Sequence, residues 1–255
     1  MNTLKITVQD AVAIISLDHG NSNAINGEMI IDLKKIFKNI EADETVRGVI
    51  LTGKHGFFSS GLDLIELYDY NEEQIKDFWV QFLDLVKSLA LFKKPLISAI
   101  SGHSPAGGCV LAVCSDYRVM AQGKYIIGLN EVPVGIIVPN SIFELYAFWI
   151  GKRKAYQNLL EGKLMGADEA LSIGLIDEVA PIESLMTVAL NKMKTYISFD
   201  STTWQESKLN LRQDLIASLS VDQTPSLEKM LKQWWAPSTR SVLNTIIKNL
   251  QAKKK

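Results

Sequence analysis

The chain carries only two cysteines in 255 residues, Cys109 and Cys114. Two are too few for a disulfide framework, and C-x4-C inside an apolar run does not suit a zinc site. Both read as small buried residues of a reduced compartment. Long hydrophobic runs are missing as well: no apolar stretch reaches the roughly 20 residues that a membrane span needs. No basic segment followed by an apolar run opens the chain, so no secretory signal is read and a cytoplasmic location is expected. Neither sign of charge dominates. The 27 Lys and Arg against 28 Asp and Glu leave a net charge of −1 at pH 7, which gives no electrostatic case for nucleic acid or a membrane surface. No Walker or Rossmann glycine fingerprint occurs, which sets aside nucleotide hydrolysis and NAD chemistry. Repeats and low-complexity tracts are absent too. The terminal Lys253-Lys254-Lys255 reads as a solvated tail and matches no peroxisomal tripeptide.

What is present is an ordinary globular composition, 47% apolar and 22% charged, on a chain long enough to bury a large core. Leu4–Val8 and Val12–Leu17 predict a hairpin around Gln9-Asp10-Ala11. Glu28–Asp43 and Glu72–Phe92 show apolar residues at helical spacing, and Pro95 stops anything further. Val46–Thr52, Leu96–Ile100 and Tyr117–Ala121 read as strands, with shorter ones at Tyr125–Gly128 and Ile176–Val179. Lys54–Leu62 reads as a loop, followed by a helical turn over Leu62–Leu67. Further helices are expected at Ala106–Cys114, Pro139–Ile150, Lys152–Gly162 and Gly166–Ile173. From Pro181 onward the pattern is helical. This predicts an α/β core over residues 1–198 and a helical C-terminal region over 199–255, with no clean linker between them.

The stretch from Ile97 to Ile137 organises the rest. A buried strand ends at Gly102, and the chain enters an apolar helix through Ala106-Gly107-Gly108. Bare N–H groups at such a helix start carry partial positive charge and suit an anionic oxygen. About two dozen residues on, a single carboxylate, Glu131, stands in an apolar segment. Oxyanion donors near an isolated carboxylate point to proton abstraction next to a carbonyl.

Three segments in order carry a family likeness. They are Phe57-Phe58-Ser59-Ser60-Gly61-Leu62-Asp63-Leu64, then Gly102-His103-Ser104-Pro105-Ala106-Gly107-Gly108-Cys109 running on to Asp116, then Gly128-Leu129-Asn130-Glu131-Val132-Pro133-Val134-Gly135-Ile136. Supporting pieces are Asn23-Ala24-Ile25-Asn26, Val49–Gly53 and Ala167–Val179. Together they resemble the crotonase (enoyl-CoA hydratase/isomerase) superfamily over roughly residues 5 to 180. Within it, Pro105–Cys109, Asp116-Tyr117-Arg118 and Ile127–Glu131 are similar to the mitochondrial-type Δ3,Δ2-enoyl-CoA isomerases. The resemblance implies a spiral of β-β-α turns with C-terminal helices that support homotrimers or dimers of trimers. It also implies an acyl-CoA thioester as substrate, with coenzyme A entering only as part of that substrate. No metal and no other cofactor is expected.

Carried over residue by residue, the resemblance gives Glu131 as the catalytic base. It makes the backbone N–H groups of Leu62 and Gly107 the oxyanion hole. It assigns Asn23, Ala24, Ile25, Ser60, Gly61, Asp63, Leu64 and Gly108 to substrate and coenzyme A binding. Hydratases of the superfamily carry a second glutamate where this chain has Val110. Adding water needs that second group, whereas shifting a double bond from C3 to C2 needs one base, so Val110 favours an isomerase. Hydration, and a non-catalytic acyl-CoA or protein scaffold, are the competing readings. Many relatives have lysine where Ile65 stands, and Lys248 is a weak candidate for a phosphate contact.

Other residues read as structural. Glu144 is expected in a salt bridge, with a role as second acid the lesser alternative. His19, His55 and His103 have no nucleophile to pair with. Ser104 does not sit in G-x-S-x-G. Asp116 reads as a cap or strand-start partner. Phe57, Phe58, Phe143, Tyr146, Phe148 and Trp149 read first as core, and secondarily as an acyl tunnel.

Overall fold

The computed structural model describes residues 1–252, and the terminal lysines 253–255 lie outside the described residues. The chain opens with β1 (Leu4–Gln9) and β2 (Val12–Leu17), paired as the expected hairpin. Its two-residue loop, Asp10-Ala11, holds φ values of 49° and 62°, the left-handed pair that matches strand twist. Helix α1 (Gly27–Ala42) follows. Asn26 caps it, accepting from the Met29 N–H at 3.0 Å. Next come β3 (Gly48–Thr52), β4 (Gly56–Phe57), α2 (Leu64–Tyr68) and α3 (Glu72–Ala90). A reciprocal Asn71–Gln74 capping box fixes the start of α3.

Then β5 (Leu96–Ile100), β6 (Gly102–Pro105), α4 (Gly107–Val113), β7 (Tyr117–Ala121) and β8 (Ile127–Gly128) lead to a 3-10 turn at Val132–Val134. The core closes with α5 (Asn140–Ile150), α6 (Lys152–Glu161), β9 (Leu164–Met165), α7 (Ala167–Ser172), β10 (Glu178–Ala180) and α8 (Leu185–Ile197). Four more helices follow: α9 (Ser201–Leu211), α10 (Gln213–Ser220), α11 (Thr224–Trp234) and α12 (Pro237–Ala252).

Two sheets result. The larger runs β1-β2-β3-β5-β7-β10, parallel except for the opening hairpin. Every residue of β3 and β5 is buried, as expected for strands covered on both faces. Helix α8 covers one face, with Leu185, Ala189 and Met193 packed on Val12, Ile50, Ile97 and Val119. The main core lies on the other face, filled by apolar residues of α1, α3 and α4. The smaller sheet runs β4-β6-β8-β9, and β4, β6 and β8 are parallel.

This second sheet was not legible as such. Gly102–Pro105 reads as a turn in the sequence but pairs on both sides as β6, and β4 and β9 are two residues long. Strands that short show no alternation. Strand β10 also sits at Glu178–Ala180, later than the expected Ile176–Val179.

The helices after residue 198 pack on the core. Asp116 ties them down: Lys208 Nζ lies 2.8 Å and Arg212 Nη2 3.0 Å from its carboxylate, all three side chains being nearly inaccessible. Arg212 also donates to the Ala90 carbonyl at 2.9 Å. Helix α10 rests on α3 and α5, and α12 on α2 and the 3-10 turn. Among the described residues no helix is long and apolar enough to cross a membrane.

Candidate active site

Three neighbouring parallel strands of the small sheet each release one functional segment from the C-terminal end. Strand β4 leads into Phe58–Leu62, β6 into Ala106-Gly107, and β8 into Leu129–Glu131. The pairings Phe57 with His103 and Pro105 with Gly128 set the three exits side by side. The Ala106 N–H donates to the Gly128 carbonyl at 2.8 Å, which locks the second exit to the third.

Residues 61 and 62 lie against the start of α4. A Cβ built on Gly61 would stand 3.3 Å from the Gly107 nitrogen, and one on Gly107 3.2 Å from Leu62 Cδ2 and 3.4 Å from Gly61 Cα. Gly61 has φ +91°, a region that favours glycine, so both the turn and the close approach require it here. Ile25 locks the strip from the other side: its N–H donates to the Gly61 carbonyl at 2.8 Å, and its carbonyl accepts from Asp63 at 2.9 Å. Among the described residues, neither the Leu62 nor the Gly107 N–H donates to a protein acceptor. Two adjacent free N–H groups held by rigid neighbours can bind an oxyanion.

Ala106 precedes that donor with φ 48° and ψ −123°, a conformation that costs a non-glycine residue about 1–3 kcal/mol. The backbone reversal turns the chain from β6 into α4. Sequence reasoning missed it, because alanine gives no sign of positive φ.

Glu131 starts the 3-10 turn, and its carbonyl accepts from Val134 at 3.1 Å and Ile136 at 2.9 Å. The side chain is 6% exposed, and its Oε2 is buried with no partner. Burial pushes its pKa from the ordinary 4.5 up to about 7, opposed only by its own backbone N–H. A surface glutamate, or one paired with Arg118, is thereby excluded: Arg118 pairs with Asp177 at 2.6 Å. Burial raises the pKa of the Cys109 thiol, and the charge of Glu131 adds to that rise, which puts the carboxylate near the first turn of α4. Val110, one residue on, is 1% exposed and brings no second acid.

Of the residues assigned to substrate, Gly61 is buried in the donor strip, and the other seven divide into two groups. Ala24, Ser60, Asp63 and Leu64 stay partly exposed, as does Leu62. Asp63 also caps α2, accepting from the Glu66 N–H at 3.2 Å. The side chains of Asn23 and Ile25 are fully buried, and Gly108 is buried with no room for a side chain. Asn23 donates to the Phe57 and Phe58 carbonyls at 3.2 and 3.1 Å and accepts from His19. A Cβ on Gly108 would stand 2.6 Å from the Ser59 carbonyl. The side chains of Asn23 and Ile25 thus pack inside the protein, and whatever these three offer a substrate comes from their backbone.

Several other candidates fall outside the site. Glu144 pairs with Lys152 at 3.2 Å. The His103 ring packs between Phe57 and Tyr125, with centroids 5.2 and 5.3 Å away, and Ser104 Oγ has no partner. Asp116 accepts from the Leu96 N–H at 2.8 Å, as a strand-start partner does. Phe148 and Trp149 line a cavity of about 240 Å³ beside Asp116, Tyr196 and Trp204, away from Glu131. Trp149 also lies over the Arg118 guanidinium at 3.6 Å. Those two aromatics therefore belong to the anchorage of the C-terminal helices and not to an acyl tunnel.

Comparison with known proteins gives the family. The sequence pattern of the enoyl-CoA hydratase/isomerase family matches residues 7–237. Mitochondrial enoyl-CoA delta isomerase 1 of Mus musculus is 34% identical over 245 residues, 95% of this chain and 85% of that one. A probable enoyl-CoA hydratase of Rhizobium meliloti is 29% identical over 198 residues, 77% of this chain and 76% of its own. The crystal structure of human mitochondrial delta3-delta2-enoyl-CoA isomerase superimposes with a TM-score of 0.95 at 29% identity, over 99% of this chain and 100% of that one. These matches show that the chain belongs to the enoyl-CoA hydratase/isomerase family and has the crotonase fold.

Proposed function

We propose that the protein is an isomerase of the fatty-acid oxidation type, which moves the double bond of 3-enoyl-CoA thioesters to the 2-trans position. One observation carries the reading: Glu131 is a buried, unpartnered carboxylate, and the position that would hold a second acid is Val110. The similarity to an isomerase also extends over 95% of the chain.

In this reading the thioester carbonyl accepts hydrogen bonds from the Leu62 and Gly107 N–H groups. Glu131 removes a C2 proton, and the electron pair moves onto the carbonyl oxygen as a dienolate. The double bond re-forms between C2 and C3 as Glu131 returns the proton to C4. A base with pKa near 7 is half ionised at neutral pH, which serves both its removal and its return of the proton. The apolar surroundings that raise that pKa also keep the acid from exchanging its proton with water. The chemistry uses no metal or redox group, and coenzyme A is the handle on the substrate. By family likeness the working unit is a homotrimer or a dimer of trimers.

The test assays 3-enoyl-CoA and 2-enoyl-CoA side by side with the wild type and Glu131→Gln. Isomerisation should dominate, and the variant should lose on the order of 10²- to 10⁴-fold, the range for general acid–base catalysis. Dominant hydration would overturn the choice of reaction. Full activity in Glu131→Gln would overturn the proton shuttle, and binding without turnover by the wild type would leave a scaffold.

A further inference from the structure

Two neighbouring residues on the first turn of α12 reach both halves of the site. Thr239 is 1% exposed. Its Oγ1 donates to the Gly135 carbonyl at 3.1 Å and accepts from Gln233 Nε2 at 2.9 Å. Gly135 closes the turn that Glu131 opens, its N–H donating to the Val132 carbonyl at 3.0 Å. Helix and turn meet without slack: a Cβ on Gly135, where φ is +82°, would stand 2.9 Å from Thr239 Oγ1 and 3.3 Å from Thr239 Cα. The adjacent Arg240 donates from Nη2 to the Tyr68 carbonyl at 2.9 Å, and its guanidinium lies 3.5 Å from the centre of the Tyr68 ring. Tyr68 ends α2, the short helix that begins two residues after Leu62. The Leu64 N–H donates back to the Leu62 carbonyl at 2.8 Å.

We propose that Thr239 and Arg240 are positioning residues, a clasp through which α12 fixes the distance between the Leu62 donor and the Glu131 carboxylate. The inference rests on the reading that these two groups act on one substrate. Strands β4 and β8 reach the site through separate loops, and each loop is held at its far side by one of two consecutive residues of the same helix. Displacing the start of α12 moves both contacts together. Because catalysis depends on the placement of reacting groups to within about 1 Å, loosening the clasp should lower turnover more than substrate binding.

The experiment compares Thr239→Val, Thr239→Ser, Arg240→Met and Arg240→Lys in the full chain. Thr239→Val and Arg240→Met should each lower kcat on 3-enoyl-CoA by about tenfold, with KM changing less than about threefold. Thr239→Ser keeps the hydroxyl and should stay near the wild type, and Arg240→Lys should fall between. Amide hydrogen exchange in the free protein supplies the second readout. Arg240→Met should speed exchange over residues 131–137, to which Arg240 makes no hydrogen bond among the described residues, and Thr239→Val should do so over residues 62–69. The clasp is overturned if each variant loosens only the segment it touches, or if both segments loosen and kcat stays within about twofold of the wild type. A wild type that fails to isomerise 3-enoyl-CoA overturns the functional proposal instead, and the exchange pattern still decides the mechanical link.

Discussion

Replacing Glu131 by Gln should stabilise the protein at alkaline pH while removing its activity. The carboxyl has its pKa raised from 4.5 to about 7 by burial. At about 1.4 kcal/mol for each pKa unit, ionised Glu131 costs the folded state about 3 kcal/mol. The sign follows from which state holds the proton. Below pH 4.5 the group is protonated whether the chain is folded or unfolded, and it costs nothing. Between pH 4.5 and 7 the unfolded chain ionises first, so stability falls as pH rises. Above pH 7 the loss is complete. Glutamine keeps the size without the charge, so Glu131→Gln should exceed the wild type by about 3 kcal/mol at pH 8 and by under about 1 kcal/mol at pH 5. For a chain of this size that is roughly 6–12 °C in Tm at pH 8. Thermal unfolding of both proteins at the two pH values measures it. An equal Tm difference at both, or a less stable variant at pH 8, would refute the claim that Glu131 is a desolvated, unpaired carboxylate.

Other substitutions test the parts around it. Gly107→Ala puts a methyl 3.1 Å from Ile25 Cδ1 and 3.2 Å from Leu62 Cδ2, so it should part the two donors and cut kcat by on the order of 10²-fold. The chain should still fold, as circular dichroism would show. Ala106→Gly should relieve the strained φ of 48° and raise stability by about 1 kcal/mol, read from urea unfolding. Asp116→Ala leaves Lys208 and Arg212 buried without their counter-charge, and the loss should be about 3–5 kcal/mol. The same urea assay detects that loss, and a change under about 1 kcal/mol would show that the triad does not anchor the C-terminal helices.

Much of the large sheet was legible, because β3, β5 and β7 are apolar runs bounded by turn residues and because α1 and α3 keep a clear helical period. Glu131 stood out because it is one charge in an apolar segment, and the same surroundings leave it buried in the structure. Of the small sheet only β8 was legible, within Tyr125–Gly128, although all three candidate segments leave from that sheet, because strands of two to four residues show little alternation. Residues linked through space were hidden as well. Nothing near Asp116 in sequence announces Lys208, 92 positions away. Nothing near Glu131 announces Thr239, which meets the Glu131 turn through Gly135, 104 positions before it. The C-terminal helices were readable as helices, but where they pack depends on these distant contacts. Asn23 carries a structural part that was hidden too. It is a polar residue beside the site, and its amide holds the Phe57 and Phe58 carbonyls, a structural part that its position in the sequence does not announce.

The most direct test of the account follows a hydrogen label through one turnover. A 3-enoyl-CoA deuterated at C2 is converted in ordinary water, and NMR locates deuterium in the product. A lone shielded Glu131 that returns what it removes should leave part of the label at C4. Deuterium found only at C2 and none at C4, or a 3-hydroxyacyl-CoA as main product, would contradict it.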